Sequence, residues 1–297
     1  MNPVLEELIK LLSLERVEVN LFRGISHDIG TSRVYGGQVL GQSIKAAQST
    51  VDDRHIHSLH AYFLRVGDHN SPIIYDVDRT RDGKSFSARR VVAIQHGKPI
   101  FTMSASFQIA ETSVDYQEKM PDTTPPENLK TINDYLGDVI ERAPDKFKLT
   151  TSLYAPFELK PVEPVDLVNP QKREPIRHLW LRAADKLPDD PVIHHVLMAY
   201  ISDFSLLDTN LLPHGLHILD SKIQIASIDH AMWFHRRFRI DEWLLYVCEG
   251  VSTSGARGVA RGRFFTRDGV LVASTMQEGL IRFREGDKLV YDGDPQS

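Results

Sequence analysis

Three polar residues interrupt apolar stretches in the second half of the chain, and together they could activate a water molecule. Asp203 lies near the end of an apolar helical segment, whereas Ser227 and Gln277 each lie in a strand-like run. A carboxylate among apolar neighbours needs hydrogen-bond partners, and it can serve as a general base. A hydroxyl and an amide supply the neutral donors and acceptors that orient water.

The strand that contains Ser227 argues against a serine nucleophile activated by histidine. Period-2 alternation predicts Asp229 on the same face as Ser227 and His230 on the opposite face, so attack by water is favoured. Each member of the trio also has an ordinary structural role: a helix-terminus carboxylate, a strand hydroxyl and an amide bonded to a neighbouring strand. The spacing by itself leaves both interpretations open.

Other chemistry-bearing residues point less clearly to a site. His55-Ile56-His57 and His194-His195 place imidazoles together, but no further ligand follows at a zinc-binding spacing, so we expect no metal. The single cysteine, Cys248, lies in an apolar run and is interpreted as a small buried residue, with a catalytic thiol as the alternative. Arginines near turns or on strands, Arg89 and Arg257 among them, could bind phosphates, although solvated faces or ion pairs explain most of them. Neither a Walker loop nor a dinucleotide fingerprint occurs.

The overall composition excludes several classes of protein. The 297 residues are 41% hydrophobic and 25% charged, as in an ordinary soluble globular protein. The net charge of −5 argues against a nucleic-acid partner, and no apolar run is long enough for stable membrane insertion. One cysteine excludes an internal disulfide framework and suits a reducing compartment. Because the amino terminus is acidic and the last residues are not a peroxisomal Ser-Lys-Leu address, we expect a cytoplasmic protein.

Two halves of the chain repeat the same succession of motifs, which indicates a duplicated module. Similar residues recur at nearly constant separation: His60 and His230 (170 positions), Arg89 and Arg257 (168), and Gln108 and Gln277 (169). A period this long indicates domain duplication, since solenoid repeats are only tens of residues long. On this alignment the first half keeps Gln108 but has no aspartate that corresponds to Asp203, which favours one active centre per chain.

Each half is predicted to hold one main helix and an antiparallel meander, an α+β pattern. A leucine-rich helix over 3–12 precedes the first main helix, over 36–47, whose early glycines suit close packing or the approach of a ligand. The second main helix is predicted over 190–207. Predicted strands cover 57–66, 73–79, 86–95 and 99–109 in the first half, and 153–159, 177–183, 223–234, 243–252, 258–266 and 270–282 in the second. Hairpin turns are predicted at 96–98 and 267–269.

These elements group into two modules joined by a linker. We predict an N-terminal module over residues 1–112 and a C-terminal module, which carries the trio, over 151–290. The proline-rich linker over 113–150 is predicted to contain one helix near 132–139.

The longer motifs of the chain resemble those of type II acyl-CoA thioesterases. Examples are Tyr35-Gly36-Gly37-Gln38-Val39-Leu40-Gly41-Gln42 and Ile228-Asp229-His230-Ala231-Met232-Trp233-Phe234-His235, together with 21–24, 57–65, 82–90 and 268–279. The resemblance implies a double hotdog fold, in which each module wraps an antiparallel sheet around one long helix. It also implies hydrolysis of fatty acyl-CoA to free acid and CoA without a cofactor. The family's catalytic Asp, Thr or Ser, and Gln fall on Asp203, Ser227 and Gln277, with Ser where the best-known members have Thr.

Further expectations follow from this resemblance. Gly37, His57, Arg89 and Arg257 are candidates for binding acyl-CoA, and a homodimer or homotetramer is expected because hotdog sheets usually associate. Backbone N–H groups, at a helix start for example, would stabilise the oxyanion. The alternatives are another hotdog acyl-CoA enzyme such as a hydratase, which would favour an Asp/His pair on one module, a non-catalytic acyl-CoA-binding module, or a structural β-protein.

Overall fold

The structure, a computed structural model, describes residues 1–27, 33–135, 137, 155–165, 170–218, 220, 222–285 and 288–289. Three α-helices and fourteen β-strands lie wholly within these residues, and the helices are α1 (Pro3–Leu12), α2 (Gly36–Gln48) and α3 (Pro191–Ser202). The strands are β1 (Glu15–Glu18), β2 (Leu21–Gly24), β3 (His55–Phe63), β4 (Ile73–Asp82), β5 (Phe86–Gln95), β6 (Lys98–Gln108), β7 (Phe157–Pro161), β8 (Ile176–Ala183), β9 (Ile223–Ser227), β10 (Asp229–Phe234), β11 (Leu244–Ser254), β12 (Arg257–Thr266), β13 (Leu271–Glu285) and β14 (Lys288–Leu289). Two 3₁₀ segments cover Pro126–Asn128 and Leu207–His214. None of the helices in these residues is long and apolar enough to span a bilayer.

The strands form one antiparallel sheet in which two similar half-sheets meet at the centre. The order is β1-β2-β4-β5-β6-β3 and then β10-β13-β12-β11-β8-β7, while β9 and β14 also pair with β13. At the seam β3 and β10 run antiparallel, with Leu59 opposite Met232. The predicted α+β double hotdog is confirmed.

The two main helices pack against each other and against one face of the sheet, where most of the core lies. A Cβ atom added to Gly37 of α2 would lie 2.1 Å from the carbonyl oxygen of Tyr200 in α3, and one added to Gly41 would lie 3.2 Å from that of Val196. The amino end of α2 therefore meets the carboxyl end of α3. The early glycines of α2 serve this close helix crossing.

Several elements end where the sequence did not indicate an end. The predicted helix over 190–207 stops at Ser202, because Asp203 is its C-cap and Ser205 has a left-handed φ of 64°. The predicted strand over 223–234 is divided at Ile228 into β9 and β10. Of the helix predicted near 132–139 in the linker, residues 132–135 are helical. Much of the predicted linker lies outside the described residues, which leave out 136 and 138–154.

The structure corrects the register of the internal duplication. Ala93 pairs with Phe101 in the β5–β6 hairpin, and Phe264 pairs with Ala273 at the corresponding place in the β12–β13 hairpin. The two halves are thus related by 171 or 172 positions. Gln277 therefore corresponds to Ala105, the residue that pairs with Arg89 across β5 and β6, and not to Gln108.

The three sequence pairs at separations of 168 to 170 are therefore misaligned by one or three positions. An odd shift in a strand moves a side chain to the opposite face of the sheet. Burial follows this rule: one member of each pair is buried (His230, Arg89, Gln277), and the other is exposed or half-buried (His60, Arg257, Gln108).

Candidate active site

Asp203, Ser227 and Gln277 lie within hydrogen-bond distance of one another at the carboxyl end of α3. Gln277 Nε2 donates to Asp203 Oδ1 at 2.6 Å and to Ser227 Oγ at 2.9 Å, and Ser227 Oγ donates to Asp203 Oδ1 at 3.1 Å. Gln277 is fully buried, and its Oε1 has no hydrogen-bond partner among the described residues. Two strands, β9 and β13, thus bring a hydroxyl and an amide to a single carboxylate oxygen.

A β-bulge at Ile228 brings Ser227 to this cluster. Ser227 pairs with Gly279 and Ala231 pairs with Met276, so four steps along β9–β10 oppose three steps along β13. The carbonyl of Ile228 instead accepts a hydrogen bond from the N–H of Phe63 in β3, at 2.9 Å. The extra residue turns Ser227 and His230 toward the same helix end, so the prediction that they face opposite sides is wrong.

The amino end of α2 meets the other oxygen of Asp203. The N–H of Gly37 donates to Asp203 Oδ2 at 3.1 Å, and a Cβ atom at Gly36 would lie 2.7 Å from the same oxygen. The free N–H groups and the dipole of a helix start favour a negative charge. Gly37, expected to bind substrate, therefore positions the carboxylate in this structure.

Two tyrosines, the partly buried Tyr35 and the fully buried Tyr246, complete the surroundings of Asp203, and the sequence analysis did not identify them. Tyr35 donates to the carbonyl oxygen of Tyr200 at 3.1 Å, and Tyr246 donates to that of Ser202 at 2.8 Å. Burial raises the pKa of both donating phenols, and the charge of Asp203 adds to this effect. The phenols remain protonated and satisfy carbonyls that end α3, which would otherwise place partial negative charge beside Asp203.

His230 is also buried at this helix end. Its Nε2 lies 3.0 Å from Ser202 Oγ and 2.9 Å from Thr275 Oγ1. Burial lowers the pKa of His230 to about 4, although the nearby charge of Asp203 acts in the opposite direction. The imidazole is therefore neutral at physiological pH.

Arg89 is committed to structure elsewhere. Its side chain is 2% exposed, and its five N–H groups donate to Thr50 Oγ1, the carbonyls of Thr50, Arg81 and Ala88, and Asp82 Oδ1. No donor is left for a substrate phosphate. We therefore leave Arg89 out of the proposed site.

The other two candidates for substrate binding lie at different distances from the trio. Arg257 is exposed on β12, next to the strand β13 that carries Gln277, and its Nε donates a hydrogen bond to Glu278 Oε1 at 2.8 Å. His57 Nε2 lies 2.8 Å from Ser106 Oγ, and its ring meets that of Phe86 edge-on. Tyr62 of β3 pairs with β10 beside the trio. His57 lies five residues from Tyr62 along the same strand, which corresponds to about 17 Å, so it is remote from the trio.

No group of three or more His, Cys, Asp or Glu side chains that could hold a metal ion occurs in the described part of the chain. Cys248 is fully buried, and burial raises the pKa of its thiol. Its interpretation as a small buried residue is confirmed.

Comparison with known proteins identifies the family. The family model described as acyl-CoA thioesterase matches residues 155–280, and the one described as acyl-CoA thioesterase N-terminal domain matches residues 25–108. The chain is 43% identical to human acyl-coenzyme A thioesterase 8 over 92% of this chain and 88% of the human protein. It is 41% identical to acyl-CoA thioesterase 2 of Haemophilus influenzae over 96% of this chain and all of that protein. The chain belongs to the acyl-CoA thioesterase family.

Solved structures agree with this assignment. Acyl-CoA thioesterase II TesB2 of Mycobacterium marinum is 41% identical, with a TM-score of 0.78 over 94% of this chain and 99% of that chain. A hot dog protein from Alicyclobacillus acidocaldarius is 17% identical with a TM-score of 0.74 over 94% of this chain and 99% of that chain, which supports the fold alone. The sequence resemblance to type II acyl-CoA thioesterases is confirmed. In this acyl-CoA thioesterase the trio lies within the region matched by the acyl-CoA thioesterase model, and Gly37 lies within the region matched by the N-terminal domain model.

Proposed function

We propose that this thioesterase hydrolyses fatty acyl-CoA to free acid and CoA at the cluster of Asp203, Ser227 and Gln277. The observation that carries the proposal is the convergence of a hydroxyl, an amide and the amino end of α2 on one carboxylate. This carboxylate can accept a proton while the neutral groups orient a water molecule. Family membership supplies the substrate class.

The reaction proceeds by direct attack of water. Asp203 accepts a proton from a water molecule that Ser227 and Gln277 help to hold, and the water oxygen attacks the thioester carbonyl carbon. Backbone N–H groups next to the site stabilise the oxyanion of the tetrahedral intermediate. As the intermediate collapses, the C–S bond breaks and the departing thiolate takes the proton from Asp203, which restores the carboxylate.

Water is preferred to Ser227 as the nucleophile. The oxygen of Ser227 accepts a hydrogen bond from Gln277 while its proton is directed at Asp203. The hydrogen bond from the amide engages one of the two lone pairs of this oxygen and lowers its nucleophilicity. Because a thiolate is already a good leaving group, hydrolysis gains little from a separate acyl-enzyme step.

Asp203→Asn tests the assignment of the base. The amide keeps an oxygen for the N–H of Gly37 but cannot take a proton, so kcat is expected to fall by about 10²- to 10⁴-fold with an unchanged circular dichroism spectrum. CoA release from palmitoyl-CoA is followed with a thiol reagent. Near-wild-type turnover would remove Asp203 from its role.

Ser227→Thr and Ser227→Ala separate the two nucleophiles. If water attacks, Thr preserves the hydroxyl and most of kcat, whereas Ala lowers kcat by about 10- to 100-fold and leaves measurable turnover. If Ser227 attacks, Ala abolishes turnover, and intact mass spectrometry of the wild type detects an acyl adduct. Addition of water across a 2-enoyl-CoA double bond would instead indicate the hydratase alternative.

Three organisational features remain proposals. We propose modules over residues 1–112 and 151–290 with a linker over 113–150, which limited proteolysis would test. A homodimer or homotetramer is expected in light-scattering measurements. We propose a cytoplasmic location, because a single cysteine suits a reducing compartment; fluorescence imaging of the tagged chain would test it.

A further inference from the structure

His230 connects the two elements that carry Asp203 and Gln277. Ser202, whose hydroxyl oxygen accepts a hydrogen bond from the imidazole, directly precedes Asp203 at the end of α3. Thr275, its other partner, lies two residues before Gln277 in β13 and therefore on the same face of the sheet. The ring thus joins α3 to β13 immediately beside the residues proposed to hold water.

The hydrogen-bond directions identify the form of the imidazole. Ser202 Oγ donates to the carbonyl of Ala199 at 2.9 Å, and Thr275 Oγ1 donates to that of Ala231 at 2.9 Å. With their protons directed to carbonyls, both hydroxyl oxygens accept from His230, so Nε2 carries the proton. Nδ1 has no hydrogen-bond partner within the described part of the chain, so a second proton there would gain no protein acceptor.

The other contacts of this helix end lead to different elements. Tyr246 connects the carbonyl of Ser202 to β11, and Gly37 connects Asp203 to α2. The 2.6 Å bond between Gln277 and Asp203 is the direct connection of the carboxylate to β13, and it is the one that the reaction needs free to adjust around water. The buried imidazole supplies a second connection that is not consumed by the chemistry.

We propose that His230 is a positioning residue: its Nε2–H tautomer holds the end of α3 against β13 and so fixes Asp203 relative to Gln277. The inference rests on the proposed function, because it assigns His230 no contact with substrate. It acts through Asp203, and this dependence distinguishes it from a merely structural histidine.

His230→Leu and His230→Gln test this role by separating kcat from KM. Leu removes the N–H donor, and kcat is expected to fall by about 10- to 100-fold while KM changes less than about twofold, because the base shifts but the substrate contacts remain. Gln restores an N–H donor at nearly the same reach and should recover part of kcat. His195→Leu is the matched control, since it removes a different buried imidazole, one carried by α3 itself, and should leave kcat unchanged.

The decisive comparison places His230→Leu in the Asp203→Asn background. If His230 acts through Asp203, the double variant is expected to turn over within about threefold of Asp203→Asn alone. The same fractional loss in both backgrounds, or wild-type kcat in His230→Leu, would overturn the inference. Should His230→Leu fail to fold, Ser202→Ala and Thr275→Val each remove one acceptor, and wild-type kcat in both would likewise overturn it. Near-wild-type turnover by Asp203→Asn would instead remove Asp203 as the base, and with it the proposed site on which this inference rests.

Discussion

The crossing of α2 and α3 provides the sharpest test of how the site is assembled. In Gly37→Ala the new Cβ atom would lie 2.1 Å from the carbonyl oxygen of Tyr200 and 2.6 Å from the ring of Tyr35. The nearest atom belongs to the backbone of a buried helix and cannot rotate away. Ordinary contact distances would require the helices to separate by roughly 1 Å, which costs about 1–3 kcal/mol or more in a packed core.

The separation should affect both stability and turnover. Alanine favours the helical state by about 0.5–1 kcal/mol over glycine, so the net destabilisation is expected to be about 1–2 kcal/mol, or roughly 2–8 °C in Tm. The Gly37 N–H to Asp203 Oδ2 bond, at 3.1 Å, would lengthen beyond hydrogen-bond distance. A displacement of this size can lower kcat by about 10²-fold.

Gly41→Ala, one turn further along α2, is the matched control. Its Cβ atom would lie 3.1 Å from Leu12 and 3.2 Å from the carbonyl of Val196, so a shift of a few tenths of an ångström accommodates it. We expect Tm and kcat close to the wild type for Gly41→Ala in thermal unfolding and CoA-release assays. If Gly37→Ala matches Gly41→Ala in both measurements, the argument that the glycine holds Asp203 is refuted.

Three further predictions concern buried groups. The pKa of His230 falls from an ordinary value of about 6.5 in the unfolded chain to about 4 in the folded protein, so the stability that the neutral imidazole contributes is complete above pH 6.5 and declines as the pH falls toward 4. In urea unfolding, the wild type should lose about 2 kcal/mol more of its free energy of unfolding than His230→Gln between pH 7 and pH 5. Equal losses in the two proteins would count against this assignment. Arg89→Met should lower the free energy of unfolding by about 2–4 kcal/mol while kcat and KM for palmitoyl-CoA stay unchanged; a raised KM with unchanged stability would restore a phosphate-binding role. Cys248 should react with an Ellman-type reagent only after the protein unfolds, and rapid labelling of the native chain would contradict its burial.

Local sequence patterns were sufficient for the elements that depend on short-range chemistry. The β5–β6 hairpin follows the alternation of apolar residues and a turn at His96-Gly97, both of which have positive φ. The bounds predicted for α1 match the structure because its leucines recur at helical spacing and Asn2 caps it. The trio itself was identified because three polar residues interrupt apolar runs, which is costly unless they find partners.

The features that the sequence could not provide depend on contacts between distant segments. The bulge at Ile228 exists because its carbonyl accepts from Phe63, 165 residues away along the chain, and nothing in the run 223–234 marks a break. Tyr35 reaches the carbonyl of Tyr200 across a similar separation. The face of His230, and with it the composition of the site, follows from this bulge and could not be deduced from alternation.

The corrected register of the duplication gives a physical reason to propose a single active centre in each chain. By that register, the first module has Ala105 at the position of Gln277 and Arg89 at the position of Ala260. Arg89 extends to the carboxyl end of α2, where its guanidinium donates to the hydroxyl and the carbonyl of Thr50. The corresponding end of α3 carries Asp203, so the second module has an anion where the first has a cation that satisfies the end of its own helix. A general base cannot operate there, because the space next to the helix end is filled by a side chain whose five donors are all engaged.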